Sequence, residues 1–148
     1  MQRCIDLARK GVKDTLSNPM VGSVLVYDGK IIGEGYHKKY GDAHAEINAF
    51  ASVKAENKSL ISKATLYVSL EPCSHTGKTP PCTHRIISEG ITKVVIGCQD
   101  PNPMVAGNGI RYLTSHGVSV TCPVMEAQAL DLITKFKYNL KAIQYIIL

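Results

Sequence analysis

Several features are missing from this sequence of 148 residues, and each absence excludes a class of protein. No stretch approaches the roughly 20 consecutive apolar residues that cross a bilayer, so we expect no membrane association. The first residues, MQRCIDLARKG, place charges among their apolar positions, unlike a secretory signal peptide. The five cysteines are an odd number, which does not suggest a disulfide framework and fits thiols kept reduced in the cytoplasm.

Basic residues outnumber acidic ones, and the formal net charge is +5. Such a balance suits an anionic partner, either a nucleic acid or a phosphorylated small molecule. The lysines are scattered, however, with Lys38-Lys39 as the only lysine doublet and no basic run of five or more residues. The charge can equally reflect a solvated surface, and it does not decide between these interpretations.

Strand-like and helix-like segments alternate along the chain. Their periodicity predicts helices over 2–10, 44–54, 82–89, 110–116 and from 124 onward, and strands over 21–27, 31–37, 64–70, 93–97 and 118–121. Asp28-Gly29 is a strong hairpin signal between the first two strands. The pattern predicts an α/β protein, a three-layer α/β/α sandwich with a mixed sheet of about five strands. We expect one domain over 1–148, with a core to about 136 and a helical tail over 137–148.

Two pieces of sequence bring together residue types that bind metal. His44-Ala45-Glu46 supplies an imidazole and a carboxylate, and PCSHTGKTPPC at 72–82 supplies Cys73 and Cys82. One histidine and two cysteines are a ligand set for a catalytic zinc that keeps its fourth position for water. A structural zinc site and a redox dithiol are the alternatives. The remaining cysteines are expected to be small buried side chains: Cys4, Cys98 and Cys122.

Glu46 lies two residues after His44 and need not bind the metal. The zinc deaminases share this arrangement, H-x-E followed by P-C and a second Cys, with the Glu as general acid and base. We place the pair in the first turn of a helix, where the backbone N–H groups and the dipole favour a negative charge on Glu46. Eight residues separate Cys73 from Cys82, whereas the general pattern has two. This insertion predicts a loop that covers the pocket and contacts the substrate.

Four segments carry a more specific resemblance: SNPMVGSVLVYDGKIIGEGYH at 17–37, GDAHAEINA at 41–49, YVSLEPCSHTGKTPPC at 67–82 and QDPNPMVAGNGI at 99–110. In family order and spacing, they resemble the deaminase domain of the riboflavin-biosynthesis deaminase/reductases, which belong to the cytidine-deaminase-like superfamily. This resemblance implies zinc-dependent hydrolytic deamination of 2,5-diamino-6-(5-phosphoribosylamino)pyrimidin-4(3H)-one to the 5-aminouracil derivative and ammonia. That reaction is an early step of riboflavin biosynthesis.

The same resemblance implies a role for each site residue. It puts His44, Cys73 and Cys82 on the zinc ligands and Glu46 on the proton donor. It implies substrate contacts for five further polar residues: Asn18, His37, His75, Lys78 and Asn102. Amides and imidazoles can read the edge of a ring, and Lys78 offers a cation to an anionic substrate. Asn18 and Asn102 can equally serve only to shape their turns.

A reductase domain follows in the bifunctional members of the family, whereas this chain ends at Leu148 with KAIQYIIL. Gly107-Asn108-Gly109 is a weak match to a dinucleotide-binding fingerprint because it follows a loop. We therefore expect deamination without reduction, with one zinc ion per chain and no NADP. Either a separate reductase protein performs the reduction, or this chain is one half of a split pair. The apolar tail favours a homo-oligomer. The substrate is expected to be a phosphorylated pyrimidine rather than nucleic acid. A tRNA or nucleoside deaminase, and a non-catalytic zinc-stabilised binding module, are the alternatives.

Overall fold

A five-stranded mixed sheet with the order β2-β1-β3-β4-β5 organises the computed structural model, which describes residues 1–11, 19–39, 41–77 and 79–134. The strands are Gly22–Tyr27 (β1), Lys30–Tyr36 (β2), Thr65–Leu70 (β3), Lys93–Cys98 (β4) and Ser119–Thr121 (β5). β1 pairs antiparallel with β2 and β3, whereas β3, β4 and β5 run parallel to one another. The predicted mixed sheet is confirmed.

The β1–β2 hairpin turns at Asp28-Gly29, as predicted. Both residues have positive φ angles, 50° at Asp28 and 72° at Gly29, and Tyr27 pairs with Lys30 across the turn. Two successive positive φ angles are the mark of a type I′ turn, whose twist matches that of the strands it joins.

Helices cover both faces of the sheet, which gives the predicted three layers. They are Gln2–Ala8 (α1), Ala45–Ser52 (α2), Cys82–Ser88 (α3), Asn108–Ser115 (α4) and a helical segment over 126–134. One face packs against the sheet through a core that includes Phe50 of α2, Ile86 of α3 and Leu113 of α4. On the other face, Ile5 of α1 packs with Leu132 of the last helical segment.

Alternation along the central strands divides their side chains between these two cores. In β3, Leu66 and Val68 belong to the core beneath α2 and α3, whereas Tyr67 packs on the α1 side with Val24 of β1. Successive strand residues point to opposite faces, so a strand covered on both sides is apolar almost throughout. Full burial of a side chain such as Leu66 contributes about 2 kcal/mol to stability.

Helix α2 lies directly on the backbone of β2. A Cβ atom built on Gly35 would stand 2.6 Å from Ala49 N and 2.6 Å from Asn48 Cβ, so only glycine allows this approach. Because α2 begins next to His44, this contact also fixes how far the predicted metal ligand stands from the sheet.

The structure differs from the sequence-based expectation in a few places. A 3₁₀ segment, Ala55–Lys63, was not predicted, since its polar residues carry no apolar periodicity and only Ile61 among them is buried. Helix α4 begins at Asn108, two residues earlier than expected, because the Glu71 carboxylate accepts the N–H of Ile110 in its first turn. The predicted tail over 137–148 lies outside the described residues. Among the described helices, none is long and apolar enough to cross a membrane.

Candidate active site

Three predicted metal ligands meet where β3 ends and where α2 and α3 begin. His44 is the N-cap of α2, Cys73 follows β3, and Cys82 is the first residue of α3. The His44 Nδ1 atom lies 3.3 Å from Cys82 Sγ and 3.8 Å from Cys73 Sγ. All three donor atoms lie within 4.8 Å of one another.

This donor set fits a zinc ion. Tetrahedral bonds of about 2.0 Å to nitrogen and about 2.3 Å to sulfur put neighbouring donor atoms about 3.5–3.8 Å apart. The two nitrogen–sulfur distances in the structure, 3.3 and 3.8 Å, lie close to that spacing. Three protein ligands leave a fourth position, which distinguishes a catalytic zinc site from a closed structural one.

Backbone hydrogen bonds hold the two thiols together. Cys82 N–H donates to Cys73 Sγ at 3.2 Å, and Thr83 N–H donates to the Cys73 carbonyl at 3.2 Å. The hydrogen bond from the Cys82 thiol lowers the pKa of Cys73, and the hydrogen bond with His44 acts in the same direction. The hydrogen bond with Cys73 raises the pKa of Cys82. Of the two thiols, Cys73 is therefore the one whose thiolate is stabilised, although Cys82 is the one at the helix start.

His44 is positioned by the carbonyl of the residue before it. The Ala43 carbonyl accepts from Asn48 Nδ2 at 3.2 Å and contacts His37 Nδ1 at 3.2 Å. Asn48 Nδ2 also donates to the Tyr36 carbonyl at 2.9 Å, which ties the end of β2 to the same loop. Asn48 was not predicted, because an asparagine four residues after a histidine carries no signal of this role.

Glu46 lies in the first turn of α2 with only 4% of its surface exposed. Its burial raises the pKa of the carboxyl group, and its own backbone N–H acts in the opposite direction. The sequence-based argument that the helix start holds Glu46 ionised is thus incomplete, because desolvation disfavours the charged form and outweighs it. His44 is the N-cap rather than a first-turn residue.

A cavity of about 260 Å³ opens beside these groups. Five of the predicted site residues line it: His37, His44, Glu46, Cys73 and His75. The rings of His37 and His44 meet edge to face with their centroids 5.6 Å apart. This volume is slightly below the usual range for small-molecule sites, which begins near roughly 300 Å³. The cavity therefore brings together the metal ligands His44 and Cys73, the buried carboxyl group of Glu46 and the imidazoles of His37 and His75.

The predicted substrate contact Asn102 is not brought into this cavity. Asn102 is exposed in a turn, where its Oδ1 accepts from Met104 N–H at 3.0 Å, and it is not one of the cavity-lining residues. This geometry matches the alternative in which Asn102 shapes its own loop, and a contact with substrate stays a prediction. Asn18 and Lys78 lie outside the described residues.

The other cysteines lie apart from this donor set. Cys4 and Cys98 are buried, as expected, and Cys122 is partly buried. Burial raises the pKa of Cys4 and of Cys98 to about 12, so both behave as small apolar side chains.

Comparison with known proteins agrees with this geometry. Residues 1–98 match the model of the cytidine and deoxycytidylate deaminase zinc-binding region. The chain is 47% identical over 129 residues to the diaminohydroxyphosphoribosylamino-pyrimidine deaminase of Buchnera aphidicola subsp. Schizaphis graminum, a match that covers 87% of this chain and 85% of that protein. It is 52% identical over 127 residues to the chloroplastic riboflavin biosynthesis protein PYRD of Zea mays, covering 86% of this chain and 31% of that protein.

A solved structure shares the fold. The diaminohydroxyphosphoribosylaminopyrimidine deaminase/5-amino-6-(5-phosphoribosylamino)uracil reductase of Thermotoga maritima superposes with a TM-score of 0.81 at 50% identity, covering 89% of this chain and 37% of that one. This chain thus spans about a third of the Zea mays and Thermotoga maritima proteins. By these matches, the chain belongs to the zinc-binding cytidine and deoxycytidylate deaminase family, in the branch of the riboflavin-biosynthesis deaminases.

Proposed function

We propose that this chain deaminates 2,5-diamino-6-(5-phosphoribosylamino)pyrimidin-4(3H)-one by zinc-dependent hydrolysis and releases ammonia. One observation carries the proposal: Glu46 is buried in the wall of the cavity that His44 and Cys73 also line. The name of the Buchnera relative, of which the chain covers 85%, supports the choice of substrate.

The site residues divide into metal-holding and proton-moving groups. His44, Cys73 and Cys82 would hold the zinc ion, which when bound supplies an activated water at neutral pH. Glu46 would take one proton from the attacking water and give it to the ring nitrogen. It would then move the second proton of that water to the departing amine, so that the new carbonyl forms as the carbon–nitrogen bond breaks and ammonia leaves. A general acid and base works best when its pKa lies near the operating pH, and burial moves the pKa of Glu46 in that direction.

The walls of the cavity suit an aromatic ring with polar edges. His37 is 3% exposed and would contribute a fixed imidazole, whereas His75 stands exposed at the rim in the loop between the two cysteines. We infer that the ring enters beside His37 and that the ribose phosphate extends past the loop that carries His75. Lys78 and Asn18 stay predicted contacts.

We also propose that this chain performs deamination alone, as a cytoplasmic homo-oligomer, with reduction on a separate protein. The Buchnera relative supports the first part, because it is named for the deaminase step only. The described cysteines form no disulfide, which supports a reducing compartment.

Ammonia release from three substrates tests the proposal: the phosphoribosylamino-pyrimidine, free cytidine and tRNA. We expect activity on the first. Glu46→Gln should keep the zinc and the fold but lower kcat by about 10²- to 10⁴-fold. Glu56→Gln, the same change at an exposed glutamate in the 3₁₀ segment, should match the wild type.

Two alternatives make opposite predictions in this experiment. A tRNA deaminase would act on tRNA and not on the phosphoribosylamino-pyrimidine. A zinc-stabilised binding module would show no ammonia release that depends on Glu46.

A further inference from the structure

Glu71 is a buried carboxylate that the deamination chemistry does not use. It is 6% exposed and lies two residues before the metal ligand Cys73. Its backbone N–H donates to the Cys98 carbonyl at 2.9 Å, which continues the pairing of β3 with β4 past the end of the strand. The position of the Glu71 backbone is thus set by the sheet.

Three backbone N–H groups of one distant segment donate to this carboxylate. Oε1 accepts from Asp100 and from Gly107 at 3.0 Å each, and Oε2 accepts from Ile110 at 3.0 Å. Burying a carboxylate costs free energy unless hydrogen-bond donors replace the water molecules that it loses. Here both carboxylate oxygens accept such hydrogen bonds.

The same carboxylate caps helix α4. Gly107 is the N-cap of this helix and has no side chain to accept a bond from the free N–H groups of the first turn. Glu71, from another element, accepts the N–H of Ile110, and its negative charge lies at the positive end of the helix dipole. This explains why α4 begins two residues earlier than its own sequence predicts.

The segment over 100–110 forms part of the cavity wall. Asp100, Val105 and Gly109 line the cavity together with Glu71 itself. The segment rests directly on the chain that leads to Cys73, because a Cβ atom built on Gly109 would lie 2.2 Å from the Pro72 carbonyl oxygen. Any shift of this segment would therefore move one cavity wall relative to the metal ligands.

We propose that Glu71 is a positioning residue for the deaminase reaction. Its carboxylate fixes segment 100–110 against the strand end that carries Cys73, and it thereby sets the cavity wall that holds the substrate ring. This inference rests on the proposed function. It assigns Glu71 no contact with the reacting atoms, so the loss of its hydrogen bonds should weaken substrate binding more than turnover.

Glu71→Gln tests the role with little change of shape. Glutamine keeps one acceptor oxygen but places an NH₂ group against at least one of the three backbone N–H donors. We expect KM for the phosphoribosylamino-pyrimidine to rise on the order of tenfold, with kcat and zinc content largely kept. Hydrogen exchange should also accelerate at the amides of Asp100, Gly107 and Ile110.

A second variant reaches the same segment without touching the carboxylate. Gly109→Ala would push α4 away from Pro72, so it should raise KM in the same way. Two matched controls separate this effect from general loss of stability. Glu34→Gln, on β2, removes a carboxylate oxygen that accepts from the Arg3 guanidinium. Gly117→Ala strains the backbone just after the other end of α4, where φ is +82°, and no atom lies within 4 Å of the new Cβ. Both controls should keep the wild-type KM.

Two results would overturn the inference. One is a KM in Glu71→Gln and Gly109→Ala equal to that of the controls. The other is a fall of zinc content and kcat together, which would make Glu71 a support of the metal site instead. If the wild type released no ammonia, the proposed function would fail, whereas the exchange rates of the three amides would still test the attachment by Glu71.

Discussion

Asn48 offers a sharp test of how the metal ligand His44 is held. Its side-chain nitrogen donates to the Tyr36 carbonyl at 2.9 Å and to the Ala43 carbonyl at 3.2 Å. Asn48→Ala removes both hydrogen bonds. Asn48→Asp keeps the shape but turns an oxygen toward two carbonyl oxygens. We expect Asp to be the more damaging replacement, although it is the closer match in size.

The size of the effect follows from these two bonds. Each is worth about 1 kcal/mol, so Asn48→Ala should lower the free energy of unfolding by about 2 kcal/mol. For a chain of this length that corresponds to a fall in Tm of about 4–8 °C. Asn48→Asp should cost about 1 kcal/mol more, because an oxygen of its carboxylate faces two carbonyl oxygens that can only accept hydrogen bonds. Loss of a group that orients a metal ligand lowers metal affinity about 10- to 100-fold, and we expect the same order here.

Thermal unfolding of the metal-free proteins and zinc titration against a competing chelator measure these two quantities separately. Asn57→Asp, the same change within the 3₁₀ segment Ala55–Lys63, is the matched control and should alter neither. If Asn48→Asp proved milder than Asn48→Ala, side-chain packing would explain the role of Asn48, and the hydrogen bonds to Tyr36 and Ala43 would not.

Two further predictions concern buried groups near the core. Thr83 Oγ1 is fully buried and has no hydrogen-bond partner among the described residues. Thr83→Val should therefore raise the free energy of unfolding by about 1 kcal/mol, which thermal unfolding would show as a higher Tm. A lower Tm would indicate that the hydroxyl group is hydrogen-bonded. Burial raises the pKa of both Cys4 and Cys98 to about 12, so at pH 8 only about one thiol in ten thousand is ionised. Iodoacetamide should therefore leave both unmodified in the folded protein, as peptide mass mapping would report, and rapid modification of either would contradict their burial.

Local signals in the sequence were enough for much of the fold. Asp28-Gly29 specifies its turn by backbone conformation alone, and the hairpin forms there. The apolar run Thr65–Leu70 is a central strand because both of its faces are covered, which a continuous apolar pattern indicates. The metal ligands were predictable for a similar reason, since their residue types are visible in the chain itself. So are the places of His44 and Cys82 at helix starts and of Cys73 after a strand.

Positions that depend on distant partners could not be predicted. In the sequence, Glu71 is recognisable only as the residue before Pro72. The backbone N–H groups that donate to its carboxylate lie 29 to 39 residues further along the chain. Asn48 has the same difficulty, because its role depends on the approach of α2 to β2 that Gly35 permits. Asn102 shows the reverse case, since its turn-forming tendency was visible and the structure uses its side chain in that turn.

Zinc content and ammonia release, measured together with the phosphoribosylamino-pyrimidine as substrate, directly test whether this chain is a zinc-dependent deaminase. We expect one zinc ion per chain at His44, Cys73 and Cys82. Removal of the ion with a chelator should abolish ammonia release, and added zinc should restore both. A zinc-free chain that releases ammonia at the rate of the zinc-loaded protein would contradict this expectation.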